Sequence, residues 1–230
     1  MEPLNELIKK AHKTLNENRN AKYEITDEVH PRNRNLRRIR ALRDIRKHGV
    51  RAGDLGGYIE SEKNLDQEGD AWIAGKARVS GKAKVFDNAV VTGYAWVFDD
   101  ARVSEDAVVA DDASVSGNAS VSEDASVSED ARVFEDASVS GRASVSGRAW
   151  VYGNASVSGD ALVSGDAWVY ADARVYGIAL VSGDALVFEN AEVSGNARVY
   201  GNAKVSGNAE VSGSAVIDGN TKVTGNERIS

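Results

Sequence analysis

An aliphatic residue recurs at every sixth position of this chain from Ile73 to Ile229, which makes 27 consecutive hexads. Ala stands two residues before each of these from Ala71 to Ala215, and only Thr221 and Glu227 take that position afterwards. Repetition at a constant short period is the signature of a solenoid, in which each repeat packs against its neighbours. The repeat therefore limits the possible folds more than any other feature of the sequence.

The hexad reads Ala–x–Val–x–Gly–Asn/Asp, and its first four residues alternate with the period of a β-strand. Ala and Val are expected to face one side of a short strand, and the two x residues to face the other side. The last two residues tolerate left-handed backbone angles and turn the chain. A strand of four residues cannot bury itself alone, so we expect successive coils to stack around a shared Ala/Val core.

Two hexads per coil would produce a flat solenoid, and three would produce a triangular prism. Sorting the hexads by twos divides the eight outward Phe and Tyr residues evenly between the two faces. Sorting by threes places five of the eight, and three of the four Trp residues, on one face. This distribution favours three hexads per coil, and hence nine coils. The eight residues are Phe86, Phe98, Phe134, Tyr152, Tyr170, Tyr176, Phe188 and Tyr200.

The hexads resemble those of left-handed β-helix proteins, whose motif runs aliphatic–x–x–Gly/Asn–small–x. The segment before them, LRRIRALRDIRKHGVRAGDLGGYIESEKNLDQEGDAWI (Leu36–Ile73), resembles the corresponding segment of phage and prophage hexapeptide-repeat proteins. Such proteins often carry only a transferase label, which follows from the fold. The resemblance implies an all-β, left-handed parallel β-helix, a triangular solenoid of about nine coils. It implies no particular activity, because many unrelated functions use this fold.

Residues 1–70 are predicted to form a small α+β cap, and residues 71–230 to form the β-helix. Five apolar residues near the N-terminus are spaced for one face of a helix. The segments KYEIT, RRIRAL and GGYIE read as short strands, with Gly56 and Gly57 as a turn or a bulge. Such a cap would cover the open strand edges of the first coil. The five apolar residues are Leu4, Leu7, Ile8, Ala11 and Leu15.

Each face of the predicted prism presents its own columns of outward side chains. One face is polar, because Lys, Arg, Ser and Glu follow one another along it. A second face is apolar at both ends, and its apolar residues are Trp72, Val90, Val108, Leu162, Leu180 and Val216. The third face carries an aromatic stripe, whose members are Trp96, Phe98, Phe134, Trp150, Tyr152, Trp168, Tyr170, Leu186 and Phe188.

A stripe of this length exceeds the apolar area that soluble monomers usually expose. The first interpretation is a homo-oligomer, a trimer in preference to a dimer, in which the aromatic face of one prism packs on the apolar face of another. The second is binding of a host or virion protein, for example a host factor that a phage protein inhibits, because Trp and Tyr are frequent anchors. The third is stacking of sugar rings. We therefore predict a non-catalytic structural or protein-binding module of phage or prophage origin.

The repeat lacks the residues that enzymes of this fold use. His12, His30 and His48 are the only His residues, all three precede the first hexad, and no hexad carries a loop insertion. The outward Ser residues have no His in the repeat to activate them as nucleophiles. We predict no catalytic residue, no metal site and no cofactor. The alternative is an acyltransferase-like hexapeptide-repeat enzyme with an atypical site, in which His30 or His48 reaches a site between subunits.

Acidic residues recur at the turns, and Asp87, Glu105 and Glu123 are expected to stack on one corner. Stacked carboxylates are potential Ca²⁺ ligands. Solvated turn residues are the simpler interpretation, because Asp and Asn suit such turns. Acidic edges could also mimic DNA, but Arg142 and Arg148 interrupt the columns.

A basic run extends from Arg32 to Arg51 in the predicted cap. Its functional interpretation is contact with nucleic acid or another acidic partner. Its structural interpretation is an exposed strand whose Arg residues pair with carboxylates of the cap. We prefer the structural interpretation and expect no nucleic-acid partner, because no aromatic residue interleaves with the run. The basic residues singled out are Arg37, Arg38, Arg40 and Arg43, and the available carboxylates are Glu24, Glu28, Glu60 and Glu62.

Charge and composition limit the partners and the location. Residues 1–70 carry 15 Lys and Arg against 13 Asp and Glu, whereas residues 71–230 carry 13 against 22. The acidic surplus argues against nonspecific DNA binding by the repeat. The chain has no Cys, no apolar run that could span a bilayer, and no apolar signal-peptide core in MEPLNELIKK. We expect a protein of the host cytoplasm or the virion, without membrane contact.

Overall fold

The structure is a computed structural model, and it describes residues 21–230. Within this range the chain forms thirty β-strands, two short 3₁₀ turns and no α-helix. No helix in the range has the length and apolar character needed to span a membrane. The helix predicted from Leu4 to Leu15, together with His12, lies outside the described residues.

Three strands form an antiparallel arrangement ahead of the repeat. Strand β1 (Tyr23–His30) pairs with β2 (Asn33–Ala41), and β2 pairs with β3 (Leu55–Ile59). The 3₁₀ turn Arg46–His48 lies between β2 and β3, and the 3₁₀ turn Glu62–Asn64 follows β3. The strands expected from KYEIT, RRIRAL and GGYIE are confirmed.

Gly56 and Gly57 form a bulge within β3, which is one of the two predicted alternatives. Together they lie opposite the single residue Ile39 of β2. A Cβ atom on Gly56 would lie 2.6 Å from Ile39 Cγ1, and one on Gly57 would lie 2.6 Å from the carbonyl oxygen of Ala77. Glycine is therefore required, because β3 approaches both β2 and the first coil too closely for a side chain.

Each hexad of the repeat forms one two-residue strand, and the strands from β4 to β30 are distributed over three parallel sheets. The apolar sheet contains β4 (Trp72–Ile73), β7 (Val90–Val91), β10 (Val108–Val109), β13 (Ser126–Val127), β16 (Ser144–Val145), β19 (Leu162–Val163), β22 (Leu180–Val181), β25 (Arg198–Val199) and β28 (Val216–Ile217). The aromatic sheet contains β5 (Arg78–Val79), β8 (Trp96–Val97), β11 (Ser114–Val115), β14 (Arg132–Val133), β17 (Trp150–Val151), β20 (Trp168–Val169), β23 (Leu186–Val187), β26 (Lys204–Val205) and β29 (Lys222–Val223). The polar sheet contains β6 (Lys84–Val85), β9 (Arg102–Val103), β12 (Ser120–Val121), β15 (Ser138–Val139), β18 (Ser156–Val157), β21 (Arg174–Val175), β24 (Glu192–Val193), β27 (Glu210–Val211) and β30 (Arg228–Ile229).

Each strand of the repeat pairs in register with the strand three hexads later, so that Trp150 lies opposite Trp168. This pairing confirms the prediction of three hexads per coil. The segment before the repeat continues the pattern, because β3 pairs in parallel with β5 and Leu65 forms a parallel bridge to Val85. That segment adds two sides of a further turn to the nine complete coils. The fold is a triangular parallel β-solenoid of about ten coils.

Ala and the aliphatic residues fill the interior, as the hexad predicts. Side chains such as Ala131 and Val133 have no exposed surface, and one continuous core extends from Tyr23 to Val223. The chain turns at each corner through a residue with left-handed backbone angles, for example Gly153 with a φ of 72°. Because every coil repeats this geometry, outward side chains eighteen residues apart are aligned in straight columns.

Candidate functional site

The predicted aromatic stripe lies on the aromatic sheet and the corner that follows it. Its Trp and Leu members are the outward residues of β8, β17, β20 and β23, namely Trp96, Trp150, Trp168 and Leu186. Its Phe and Tyr members follow at the corner where the chain leaves the sheet, namely Phe98, Phe134, Tyr152, Tyr170 and Phe188. The sheet therefore holds all nine predicted residues on one side of the solenoid.

Strand β11 divides the stripe into two groups, because Ser114 lies between Trp96 and Arg132 in the sheet. Trp96 and Phe98, in the second coil, stack on each other with ring centroids 4.1 Å apart. The other seven residues form one cluster, which we call the aromatic surface. Its members are Phe134, Trp150, Tyr152, Trp168, Tyr170, Leu186 and Phe188.

Four rings of the aromatic surface stack in one column, which we call the aromatic ladder. Its members are Phe134, Tyr152, Tyr170 and Phe188, one from each of four successive coils. The centroids of successive rings are 4.8, 5.0 and 5.0 Å apart, and the ring planes are within 4° of parallel. These separations match the spacing of about 4.8 Å between paired strands. In-register pairing therefore produces the stack wherever aromatic residues recur every eighteen positions.

Trp150 and Trp168 form a second stack beside the ladder, with centroids 5.1 Å apart and planes within 5° of parallel. The edges of these rings meet the ladder, since Trp150 lies 5.9 Å from Phe134 and Trp168 lies 6.4 Å from Tyr152, centroid to centroid. The guanidinium of Arg132 lies 5.3 Å from the centroid of Trp150, a favourable cation–π distance. The two columns thus hold one another in place.

The aromatic surface presents ring edges, because stacking covers the ring faces. Tyr152 and Tyr170 each have a parallel ring on both sides, and Trp150 lies between Arg132 and Trp168. Trp168 is 38% exposed, and the other six members are partly buried. A sugar ring stacks on an aromatic face, so these contacts disfavour the sugar interpretation in the middle of the surface. Burial also raises the pKa of the Tyr152 and Tyr170 hydroxyls.

The second predicted face coincides with the outward side of the apolar sheet, except at Trp72. Trp72 is only 2% exposed and packs into the core with Ile39 and Tyr23 of the first strands. Its Cζ2 atom lies 2.7 Å from the position that a Cβ on Gly56 would occupy. The prediction that Trp72 belongs to an exposed face is therefore wrong, because β2 and β3 cover it. The apolar residues that remain accessible are Val90, Val108, Leu162, Leu180 and Val216.

Ile178 is absent from the predicted site residues, although it is 64% exposed and exceeds every other large hydrophobic residue of the described chain in exposure. It lies near Tyr176 at the corner between the polar and apolar sheets, two residues before Leu180. The sequence could have indicated that Ile178 is exposed, since the same position in other coils usually holds Asp, Asn or Arg. The hydroxyl of Tyr176 donates to Glu192 at 3.1 Å, which anchors this corner.

The singled-out basic residues of the first strands mostly form ion pairs, which agrees with the structural interpretation. The pairs are Arg37–Asp27 at 3.7 Å, Arg38–Glu28 at 2.9 Å and Arg40–Glu24 at 3.3 Å. Arg43 instead donates to the carbonyl oxygen of Gly69 at 3.1 Å. Glu60 accepts a hydrogen bond from the backbone of Gly81 and pairs with none of these Arg residues. Exposed pairs of this kind contribute about 0–1 kcal/mol each, so they neutralise charge more than they stabilise the fold.

His30 and His48 both lie before the first complete coil. The ring of His48 is hydrogen-bonded through Nε2 to the carbonyl oxygen of Asn88, at 3.0 Å. The ring of His30 meets Tyr58 edge-on, with centroids 4.9 Å apart. Burial lowers the pKa of both imidazoles, which favours their neutral forms. The enzyme alternative requires a site around one of these two rings.

The acidic corner residues bind the backbone of the neighbouring coil. Asp87, Glu105 and Glu123 lie on one corner with left-handed φ values of 57°, 57° and 60°. The carboxylate of Asp87 accepts a hydrogen bond from the N–H of Glu105 at 3.3 Å, and on another corner Glu135 accepts one from Gly153 at 2.9 Å. Within residues 21–230 no three acidic or His side chains are grouped so that they could hold a metal ion.

The geometry defines the class of the protein, a triangular parallel β-solenoid with an aromatic surface on one of its three sheets. No protein-family model matches the chain, and no curated protein matches it. The resemblance to phage hexapeptide-repeat proteins therefore stays a prediction.

Proposed function

We propose that this protein is a non-catalytic structural module that associates through its aromatic surface, first of all with further copies of itself. The observation that carries this proposal is the cluster of stacked rings on one sheet of a repeat whose other outward positions are mostly Ser or charged. Trp and Tyr are enriched at the centres of protein interfaces. A phage or prophage origin, suggested by the segment Leu36–Ile73, belongs to the same proposal.

Rigidity supports a binding role for the aromatic surface. Each ring of the ladder is held by a neighbour about 5.0 Å away, and the two Trp rings are held in the same way. Side chains that are already ordered lose little conformational entropy when a partner binds. The surface also extends over four successive coils, along one sheet and the corner beside it. A partner with an extended apolar surface of its own therefore suits it.

The positions of the two apolar regions along the solenoid favour self-association. Leu162 of the apolar sheet belongs to the same coil as Trp168, and Leu180 belongs to the same coil as Leu186. Copies with parallel axes would therefore bring the aromatic surface of one to the apolar sheet of the next without a shift along the axis. Contacts between two different faces close into a ring when the rotation permits it, which suits a trimer.

The experiment measures molar mass by light scattering for the wild type and for Trp150→Ser/Trp168→Ser/Leu186→Ser. We expect an oligomeric wild type and a triple variant with the mass of one chain, because the substitutions remove both stacked Trp rings and the adjacent Leu from the aromatic surface. The pair Leu162→Ser/Leu180→Ser tests the opposite face and should dissociate the oligomer as well. Far-UV circular dichroism verifies that each variant retains its β-structure.

Val216→Ser is the matched control, because Val216 lies on the apolar sheet and is 53% exposed but is three coils beyond Leu162. Its mass should equal that of the wild type. A monomeric wild type, or a folded triple variant of unchanged mass, would contradict self-association. Dissociation by the triple variant but not by Leu162→Ser/Leu180→Ser would instead indicate that two aromatic surfaces face each other, as in a dimer.

A further inference from the structure

A cavity of about 470 Å³ lies between the first strands and the beginning of the aromatic sheet. The turn between β1 and β2 forms one wall with Arg32, and β3 contributes Tyr58. The opposite wall contains Lys76, Arg78 and Tyr94 from the first coils. This volume is within the range of about 300–1,000 Å³ that small-molecule sites occupy. The cavity is separate from the aromatic surface, which begins at Phe134.

Positive charge is concentrated in this cavity, although the whole chain has a net charge of −7. Arg32, Lys76 and Arg78 line it, and Asp112 is the only acidic residue among the described residues of the lining. No carboxylate within residues 21–230 forms an ion pair with any of these three cations.

The positive potential acts on a neighbouring group that also lines the cavity. Burial lowers the pKa of His30, and the charges of Arg78 and Arg32 lower it further. Elsewhere the chain pairs comparable residues with acids one coil away, for example Arg142 with Asp160. Three cations that have no acidic partner within residues 21–230 attract an anion, since a bound anion relieves their mutual repulsion.

Aromatic rings alternate with these cations. The ammonium of Lys76 lies 5.2 Å from the centroid of Tyr94, and the guanidinium of Arg78 lies 5.0 Å from the centroid of Trp96. Tyr94 is 54% exposed, the largest value among the aromatic residues of the described chain. Cations beside exposed rings are the combination that binds a phosphate and a planar base together.

We propose that this cavity binds a nucleotide, with its phosphate among Arg32, Lys76 and Arg78 and its base against Tyr94. Two sources share this chemistry, a free nucleotide and the end of a single-stranded nucleic acid. The cavity takes one nucleotide in either case, and only the first coils and the preceding strands take part. The site is thus independent of association through the aromatic surface.

Isothermal titration with adenosine 5′-monophosphate tests the proposal. We expect saturable binding to the wild type that weakens as salt is added, because the contact is largely electrostatic. Arg78→Gln should weaken binding about tenfold, the loss expected for one charge-assisted contact. Arg132→Gln is the matched control and should leave binding unchanged, since Arg132 has the same outward position on the same sheet and the same contact with a Trp ring.

Tyr94→Leu separates recognition of the base from recognition of the phosphate. It should weaken binding of adenosine 5′-monophosphate and leave binding of inorganic phosphate unchanged. A short single-stranded oligonucleotide that binds more tightly than the mononucleotide would identify the strand end as the source, and weaker binding would identify the free nucleotide. The proposal would be overturned if neither the mononucleotide nor the oligonucleotide showed saturable binding, or if Arg78→Gln and Arg132→Gln lost binding equally. Equal effects of Tyr94→Leu on both ligands would overturn the role of Tyr94.

Discussion

Residues at the corners show how one backbone conformation restricts the choice of side chain. Most corners use Gly, but eight use Asp or Glu with φ between 57° and 60°. Left-handed angles strain any residue with a Cβ atom, and Asp is among those that tolerate them best. At several of these corners the carboxylate accepts a hydrogen bond from the next coil, as Glu129 does from the N–H of Gly147 at 2.5 Å. This contact offsets part of the strain.

Ala171 has the same strained backbone, with a φ of 59°, but no side-chain acceptor that could offset the strain. We expect Ala171→Gly to raise the free energy of unfolding by about 1 kcal/mol, the typical cost of a left-handed non-glycine residue. Urea unfolding followed by circular dichroism measures the change. Ala173→Gly at the start of the next hexad is the control, since Ala173 is buried and its methyl group packs in the core. Ala173→Gly should lower the free energy of unfolding. If both variants were more stable than the wild type, backbone strain at Ala171 would not explain the effect.

Lys22 is a charged residue without any exposed surface, and its ammonium donates to the carbonyl oxygen of Glu68 at 3.0 Å. Burial lowers its pKa from 10.5 to about 8, although nearby Asp66 acts in the opposite direction. Below pH 8 both the folded and the unfolded state carry the proton, so the cost of burying the charge is fully present. Between pH 8 and pH 10.5 the unfolded state binds more protons, so the free energy of unfolding rises with pH.

Lys22→Met should therefore stabilise the protein below pH 8, by about 3 kcal/mol, since each pKa unit corresponds to about 1.4 kcal/mol. It should also remove the rise in stability between pH 8 and pH 10.5. Urea unfolding over this pH range measures both effects. Lys204→Met, at an exposed position of β26, should change neither. A rise with pH that persists unchanged in Lys22→Met would show that another group causes it.

At the scale of the strands, in-register pairing converts a repeat of eighteen residues into columns. The hydroxyl groups of Ser120 on β12 and Ser138 on β15 lie 3.3 Å apart, because these strands are neighbours in the polar sheet. Ser126, although nearer to Ser138 in the sequence, belongs to the apolar sheet. With two hexads per coil, residues twelve positions apart would be neighbours, so Ser138 would lie beside Ser126 and not beside Ser120.

Because the chain contains no Cys, a pair of introduced Cys residues tests this register directly. Ser120→Cys/Ser138→Cys should form a disulfide on oxidation, since adjacent strands about 4.8 Å apart allow its geometry. Ser126→Cys/Ser138→Cys should form none within one chain. Mass spectrometry under denaturing conditions detects the loss of two hydrogens. The opposite result for the two pairs would exclude three hexads per coil.

At the scale of the whole molecule, charge and apolar surface are separated along the solenoid. The cationic cavity adjoins the first coils, and the aromatic surface occupies the coils from Phe134 to Phe188. The repeat between and beyond them presents mostly polar and charged residues. Each coil packs on the next one in the same geometry, so the distance along the solenoid between two such surfaces is constant. Nucleotide binding and self-association can therefore be measured separately on the same protein.

The sequence by itself determined the solenoid, its inward Ala and Val residues and the assignment of Trp150, Trp168 and Tyr170 to one face. Local alternation and a constant period are sufficient for this, because each hexad repeats the geometry of the one before it. The mutual stacking of the rings also follows from the eighteen-residue spacing, once the strands pair in register. Ile178 could have been found as well, as an apolar residue in a column of polar ones.

Only the tertiary structure decided where the non-repeating segment packs against the repeat. Trp72 has the outward position of its hexad, yet it is buried because β2 and β3 cover it. The basic run contains no aromatic residue, yet Arg32 shares a cavity with Tyr94 of the second coil. Neither contact follows from the period of the repeat, because each joins the repeat to residues of the non-repeating segment that no local pattern relates to it.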